Sequence, residues 1–422
     1  MTQARLGQQV VVLGAGMVGI ACALSLRQRG LAVTLIDPLG PGAATSHGNA
    51  GVLARSSLMP FNHPRLWSQL PGLLRGRSPG FRYDPLAMLG QWRWGLSFLS
   101  HAREQDFRET TTALDALIRH SGEVHHRWMD AAGVAQRRRD EGWLFLYRSE
   151  AGFQSGAFGR ETLARFGVAT AELGARELHD LEPHLQPIFR KALWVKDASS
   201  VDNPGELVRA YARWLVELGG QLQTTEATHL QRDNGGWSVG TSDGRALRAD
   251  HVVIALGPWS RDFLRQHFGL KLPMGFERGY HRHFTPKNGA LLNRPVYDTA
   301  AGYVLAPMAQ GLRLTTGVEL NAQHAPPRPA QLDAAERAAR EAVALGERTA
   351  EPDWLGSRPT LPDSRPMVGE CPGQAGVWLA LGHQHIGFST GPGTGELLAQ
   401  LMLGEPTNID SSPFRPERFL RA

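Results

Sequence analysis

The 422-residue chain has two cysteines, Cys22 inside an apolar stretch and Cys371 in a Pro/Gly-rich loop. A disulfide framework is thereby excluded as its source of stability, and two buried thiols in a reduced, cytoplasmic chain are expected. Lysine is scarce as well, found at Lys191, Lys196, Lys271 and Lys287 alone, so arginine supplies nearly all the positive charge behind the net +5. The arginines are scattered among acids. Their one triplet, Arg137-Arg138-Arg139, runs straight into Asp140-Glu141 and reads as a solvated turn. No nucleic-acid partner is expected, although a modest positive charge suits an anionic membrane surface. No apolar run approaches the roughly 18 residues of a membrane span, and the short polar start does not have the form of a signal peptide. At this length two domains are expected, because one hydrophobic core rarely serves so many residues.

What the chain does have is a strong opening. Val10-Val11-Val12-Leu13 reads as a buried parallel strand. Gly14-Ala15-Gly16-Met17-Val18-Gly19 then spells G-x-G-x-x-G, and an Ala- and Leu-rich helix runs on to Gly30. A second apolar run, Ala32 to Ile36, ends in Asp37 and Pro38. In such a fingerprint Gly14 makes the tight turn, Gly16 admits a pyrophosphate to the backbone, and Gly19 lets the helix pack on the strand. The helix N-terminus favours the negative charge, and Asp37, about 20 residues on, is placed for ribose hydroxyls. That acid disfavours a 2′-phosphate, which leaves FAD and NAD. The next loop, Thr45-Ser46-His47-Gly48-Asn49-Ala50-Gly51, is small and polar and is expected to lie along the cofactor.

Further on, residues 61–105 are rich in Trp and Pro, with Trp92, Trp94, Phe98 and Leu99 at helical spacing. They suit either a helical subdomain or a membrane-surface patch. An amphipathic helix is expected over 111–132, where His125 and His126 point to different faces and make no metal pair. Strands are expected at 142–147 and 192–195, helix over 151–179, and a helix from Asp202 to Gly219 opened by Pro204. A hairpin over 236–249 leads into the apolar strand His251–Leu256 and Gly257-Pro258-Trp259. Strand-like runs return at 278–284, 303–307 and 312–317, then a charged helix over 329–346. The strand Val377–Leu381 runs into the glycine-rich stretch 382–395, and a last helix is expected from about Thr394.

Three separated motifs together resemble the FAD-dependent D-amino acid oxidase/dehydrogenase superfamily, which includes glycine and sarcosine oxidases. They are the fingerprint with its 45–51 loop, the strand ending Gly257-Pro258-Trp259-Ser260, and the C-terminal run. The last comprises Arg358-Pro-Thr-Leu-Pro-Asp, Pro366-Met-Val-Gly369 and Gly382-His383-Gln384-His385-Ile386-Gly387. The chain is most similar to bacterial membrane-associated D-amino acid dehydrogenases, with features of D-hydroxyproline dehydrogenases. The resemblance implies FAD, and an α/β fold: a Rossmann-like FAD-binding domain of the glutathione-reductase/D-amino acid oxidase type with a discontinuous α+β substrate domain. The FAD domain is expected from 1–60, 200–270 and 350–422, and the substrate domain from 61–199 and 271–349. Gly387, Phe388, Ser389 and Thr390 would face the flavin from the start of the last helix.

The reaction so implied is hydride transfer from the α-carbon of an amino acid to flavin N5, giving an imino acid that water hydrolyses. Electrons would pass to a quinone or other carrier, on the cytoplasmic face of the inner membrane if the chain binds there. The alternatives are a glycine/sarcosine-type amine oxidase making peroxide, and an FAD-bearing subunit of a larger complex. Tyr280 and Arg358 are candidates for the substrate carboxylate. Glycine oxidases carry an arginine after the proline of a Tyr-x-x-Pro strand, where this chain has Met308 after Pro307. His47, His281, His283, His383 and His385 are candidates for the ammonium proton. No metal is expected, and FAD is expected to be non-covalent, since Thr360 and its neighbours include no cysteine and His47 sits in a Ser-His-Gly pattern.

Overall fold

The computed structural model describes residues 4–76 and 78–420. Gln9–Leu13 is a strand in which Val10 to Leu13 are all buried. It pairs in parallel with Ala32–Ile36 on one side and His251–Ile254 on the other. Gln221–Gln223 and Val377–Leu381 extend the sheet in parallel at either edge, and Met367–Glu370 closes it antiparallel. Strands covered on both faces carry continuous apolar runs, which is why they stand out in the sequence although they are hundreds of residues apart. The hairpin expected over 236–249 is present, with Ala227–Asp233 as a third strand.

The first helix, Met17–Gln28, lies against the last, Gly387–Leu403. The last helix begins at Gly387 rather than near Thr394, so Gly391, Gly393 and Gly395 sit inside it. Packing explains them. A Cβ on Gly391 would lie 2.6 Å from Met17 Cγ, one on Gly393 2.9 Å from Ser121 Cβ, and one on Gly395 2.3 Å from the Ala21 carbonyl. The close approach outweighs a propensity cost of about 1 kcal/mol for each glycine.

A second sheet of eleven strands faces the first. Its spine is Gly275–Pro286, antiparallel to Gly311–Thr316 and Val318–Leu320 on one side and to Leu345–Arg348 and Trp354–Thr360 on the other. Tyr303–Met308, Val296–Asp298, Trp143–Tyr147 and Lys191–Val195 carry it onward.

Two segments cross the expected domain boundaries. Helix Glu104–Ala131, inside 61–199, puts Leu117, Val124 and Trp128 into the core of the first sheet. Strand Trp354–Thr360, inside 350–422, belongs to the second sheet. Residues 151–179 are not helical throughout: after Ala157–Arg165 a left-handed Gly167 (φ +64°) turns the chain into strand Thr170–Gly174.

His125 joins three helices in the core. Its Nε2–H donates to the Phe388 carbonyl at 2.9 Å, and Nδ1 is left to accept from the Tyr211 hydroxyl at 3.1 Å. Burial lowers its pKa from 6.5 to about 4. The unfolded chain therefore binds a proton below pH 6.5 that the folded chain refuses, so stability is full above that value and is lost as pH falls. Between pH 6.5 and 5 the loss from this residue is about 2 kcal/mol. Thermal melting is expected to shift down over that interval, and His125→Gln, though less stable at pH 7, should show a shallower pH slope.

Candidate active site

A cavity of about 950 Å³ opens at the C-terminal ends of the first sheet's strands and reaches the second sheet. In open α/β sheets this is where ligands bind. Gly14, Gly16, Met17 and Val18 form one wall. Gly14 has φ +100°, and a Cβ there would stand 2.6 Å from the Ala255 carbonyl. Ala15 is turned to the protein, its N–H donating to Asp37 Oδ2 at 2.8 Å. Gly19 is also structural, because its Cβ would fall onto the Gly14 carbonyl. Asp37 accepts two more N–H bonds through Oδ1, from Leu39 and Gly40, so its carboxylate is fixed at the cavity edge by the backbone.

Of the 45–51 loop, Thr45, Ser46, Gly48, Asn49 and Ala50 line the cavity. Ser46 Oγ accepts from the Met17 N–H at 3.0 Å and so joins the loop to the first helix. Pro38, Gly257 and Trp259 line it as well, as do Gly387, Phe388 and Ser389 in the first turn of the last helix. Gly51 and Thr390 do not. Gly51 packs on the Val201 carbonyl, and the Thr390 hydroxyl bonds back to Ile386 O.

Residues 9–401 match the family described as FAD dependent oxidoreductase. The chain belongs to this family. It is 30% identical to a D-amino-acid oxidase of Bradyrhizobium diazoefficiens over 98% of this chain and 99% of that protein. It is likewise 30% identical to D-amino acid dehydrogenase 2 of Pseudomonas aeruginosa over 97% of this chain and 99% of that one. Among solved structures, L-proline dehydrogenase from P. horikoshii superposes with a TM-score of 0.75 at 20% identity, covering 99% of this chain and 98% of that one. Glycine oxidase from Geobacillus kaustophilus gives 0.73 at 21%, covering 97% and 98%.

The cavity fits the family's cofactor, FAD. Gly14 and Gly16, which present bare backbone, stand at one end, and the N-terminus of a 17-residue helix, with its positive dipole end, enters the wall elsewhere. Cys22 and Cys371 are free and buried, and neither lines the cavity, in accord with non-covalent FAD.

Candidate catalytic residues divide sharply. Arg358 lines the cavity, its Nη1 donating to Gly317 O at 3.1 Å. His383 and His385 line it too. Burial lowers both to about pKa 3, with nearby Arg358 adding to the effect on His385, so each is neutral and weakly basic at pH 7. The near-neutral titration expected of them is thus corrected.

Tyr280 does not reach the cavity. It shares a strand face with Phe284 in the core under helix Ala330–Ala342, and its hydroxyl donates to Glu319 Oε2 at 2.5 Å. His47, His281 and His283 also stand outside it, in a clamp of which His281 and His283 are buried. Arg313 Nη1 donates to the carbonyls of His47 and Asn49 at 2.8 and 2.7 Å, and His281 Nδ1–H donates to that of Gly48 at 3.2 Å. His283 Nε2 accepts from Arg313 Nε–H, while its Nδ1 lies 2.7 Å from Glu351.

Other lining residues carried no motif. Trp143, Phe145 and Tyr147 alternate along one strand and, with Tyr297, make an aromatic wall. The i, i+2 spacing was the available signal. Trp354 lines the cavity and stacks on His281 at 5.0 Å, filling the space that Gly48 and Gly356 leave open. If the glycine cradle holds the cofactor, Gly14→Ala should purify without flavin absorbance. Gly7→Ala, also at positive φ but with nothing within 4 Å, should keep it.

Proposed function

We propose that this flavoprotein oxidises D-amino acids, cyclic ones such as D-proline or D-hydroxyproline included, to imino acids, as a dehydrogenase of amino-acid catabolism. The observation that carries the reading is Arg358, a guanidinium in the cavity wall whose planar fork suits a carboxylate. The D configuration is supported by the relatives named D-amino-acid oxidase and D-amino acid dehydrogenase. Bound FAD supplies the hydride acceptor. The chain's own part is to hold the carboxylate, present the α-carbon and exclude water. The protonated form of His385, in contact with Phe61 at 5.0 Å, is disfavoured by burial and by Arg358, so this reading gives it no ammonium proton to hold and takes the free amine as the reacting species. Met308 stands outside the cavity, and of the two arginines that line it Arg160 is paired with Glu172 at 3.3 Å and lies over the Phe153 ring, which leaves Arg358 as the anchor we assign.

The electrons pass, in this reading, to a quinone or similar carrier at the cytoplasmic face of the inner membrane. No helix among the described residues is long and apolar enough to cross a membrane, and the contact we propose is a peripheral one. Trp94 and Phe98, expected on the patch, stack on each other at 5.1 Å, and Trp94 is buried with its indole N–H on the Thr360 carbonyl. Leu86, Leu89, Trp92 and Leu96 are exposed, Leu86 at 78%, as are Phe61, Trp67 and Leu74 earlier in the segment. Over residues 61–103 the sequence has six arginines and a single acid, Asp84, which is paired with Arg328. That combination suits an anionic interface.

Anaerobic addition of D-amino acids is expected to bleach the oxidised flavin where L-isomers do not. Arg358→Met should raise KM by about 100-fold, the weight of a charge-assisted pair; bleaching by glycine or sarcosine alone would overturn the assignment. A Leu86, Leu89, Trp92→Ser triple variant should stop co-sedimenting with anionic vesicles while retaining flavin reduction.

A further inference from the structure

Glu277 and Arg358 are direct partners in the antiparallel pair of Gly275–Pro286 with Trp354–Thr360, so both side chains leave the sheet on one face. The guanidinium crosses the neighbouring strand at Gly279, where a Cβ would lie 2.3 Å from Nη2. Glu277 stays behind it, 2% exposed. Its Oε1 accepts from the Thr360 hydroxyl at 2.8 Å, while Oε2 has no hydrogen-bond partner. Trp94, packed on Gly275 and bonded to the Thr360 carbonyl, closes this side. A buried carboxylate with an unpartnered oxygen is costly unless a cation faces it. Arg358 is that cation.

The other charged groups nearby give Glu277 no second counter-charge. Arg278 leaves the strand on the opposite face, toward Glu319 and the Tyr280 hydroxyl. His385 faces Arg358 and His383 is held by the Thr394 hydroxyl; both are neutral. A substrate carboxylate seated on Arg358 therefore makes two anions share one buried cation, and like charges in one site cannot both stay ionised cheaply.

We infer that Glu277 is a positioning residue and proton store: it takes a proton from solvent onto Oε2 as a substrate carboxylate binds Arg358, and releases it as product leaves. This rests on the assignment of Arg358 as the carboxylate anchor. Burial already holds the Glu277 carboxyl above its ordinary range, with Arg358 and the Thr360 hydroxyl pulling it back. A bound anion weakens the Arg358 contribution and raises it further. Binding of anionic ligands is accordingly favoured at low pH and weakens as pH rises through the raised value.

The test is calorimetry on the FAD-loaded enzyme with benzoate, a carboxylate it cannot oxidise, in two pH 7 buffers of different ionisation enthalpy. Wild type is expected to take up a proton on binding, and Glu277→Gln, the isosteric amide, to bind benzoate with none. Infrared difference spectra of the wild type should show a protonated carboxyl C=O band on binding, a readout that needs no variant. Binding without uptake by the wild type, or equal uptake by Glu277→Gln, overturns the inference and leaves the anchor standing. Benzoate affinity unchanged in Arg358→Met overturns the anchor, and the inference with it.

Discussion

Three successive carbonyls, those of His47, Gly48 and Asn49, are held by side chains of the second sheet, two by Arg313 and one by His281. The loop they belong to reaches the first helix through Ser46, on the opposite wall of the cavity. This clamp ties the loop that lines the cavity to the second sheet at one end and to the first helix at the other. Its electrostatics are consistent with a permanent fastening. Arg313 points at carbonyl oxygens and at a histidine nitrogen that accepts, and burial with the neighbouring guanidinium holds His281 down to about pKa 2 and His283 to about 4. Histidines that read as acid–base candidates are thus neutral hydrogen-bonding parts of the frame.

With the loop so held, the polar and apolar parts of the cavity wall have fixed places. Arg358 on the second sheet and the first turn of the last helix supply positive potential, while the aromatic residues of Trp143–Tyr147 and Tyr297 supply apolar wall. The Arg358 guanidinium in such surroundings is worth more than it would be in water. It also needs a counter-charge when no ligand is present, and the residue opposite it in the strand register is a carboxylate.

The fingerprint was legible because the job of each of its residues is a matter of backbone geometry within a short stretch. Gly14 and Gly19 stand where a Cβ would strike the neighbouring backbone, and both were readable from spacing. Strand Gly275–Pro286 was not legible in the same way. Its first ten residues are all buried, so no polar–apolar alternation fixes which face looks toward the cavity. Tyr280 reads as a carboxylate candidate from its chemistry, and the phase of the strand turns it into the core beside Phe284 instead. The exposed apolar patch failed similarly: helical period placed Trp94 and Phe98 on one stripe but could not say whether that stripe faced water.

The central sheet draws its strands from residues 9–36, 221–254 and 367–381, and the glycines of its last helix are moulded to the first. On the ribosome the phosphate-binding turn precedes the helix that packs over it by some 370 residues, Met17 to Gly387. Until then the apolar strand Gln9–Leu13 and the faces of the first helix have no complete partner. The nucleotide fold therefore stays unfinished while the residues between those two helices are made, and cofactor capture waits for the second of them.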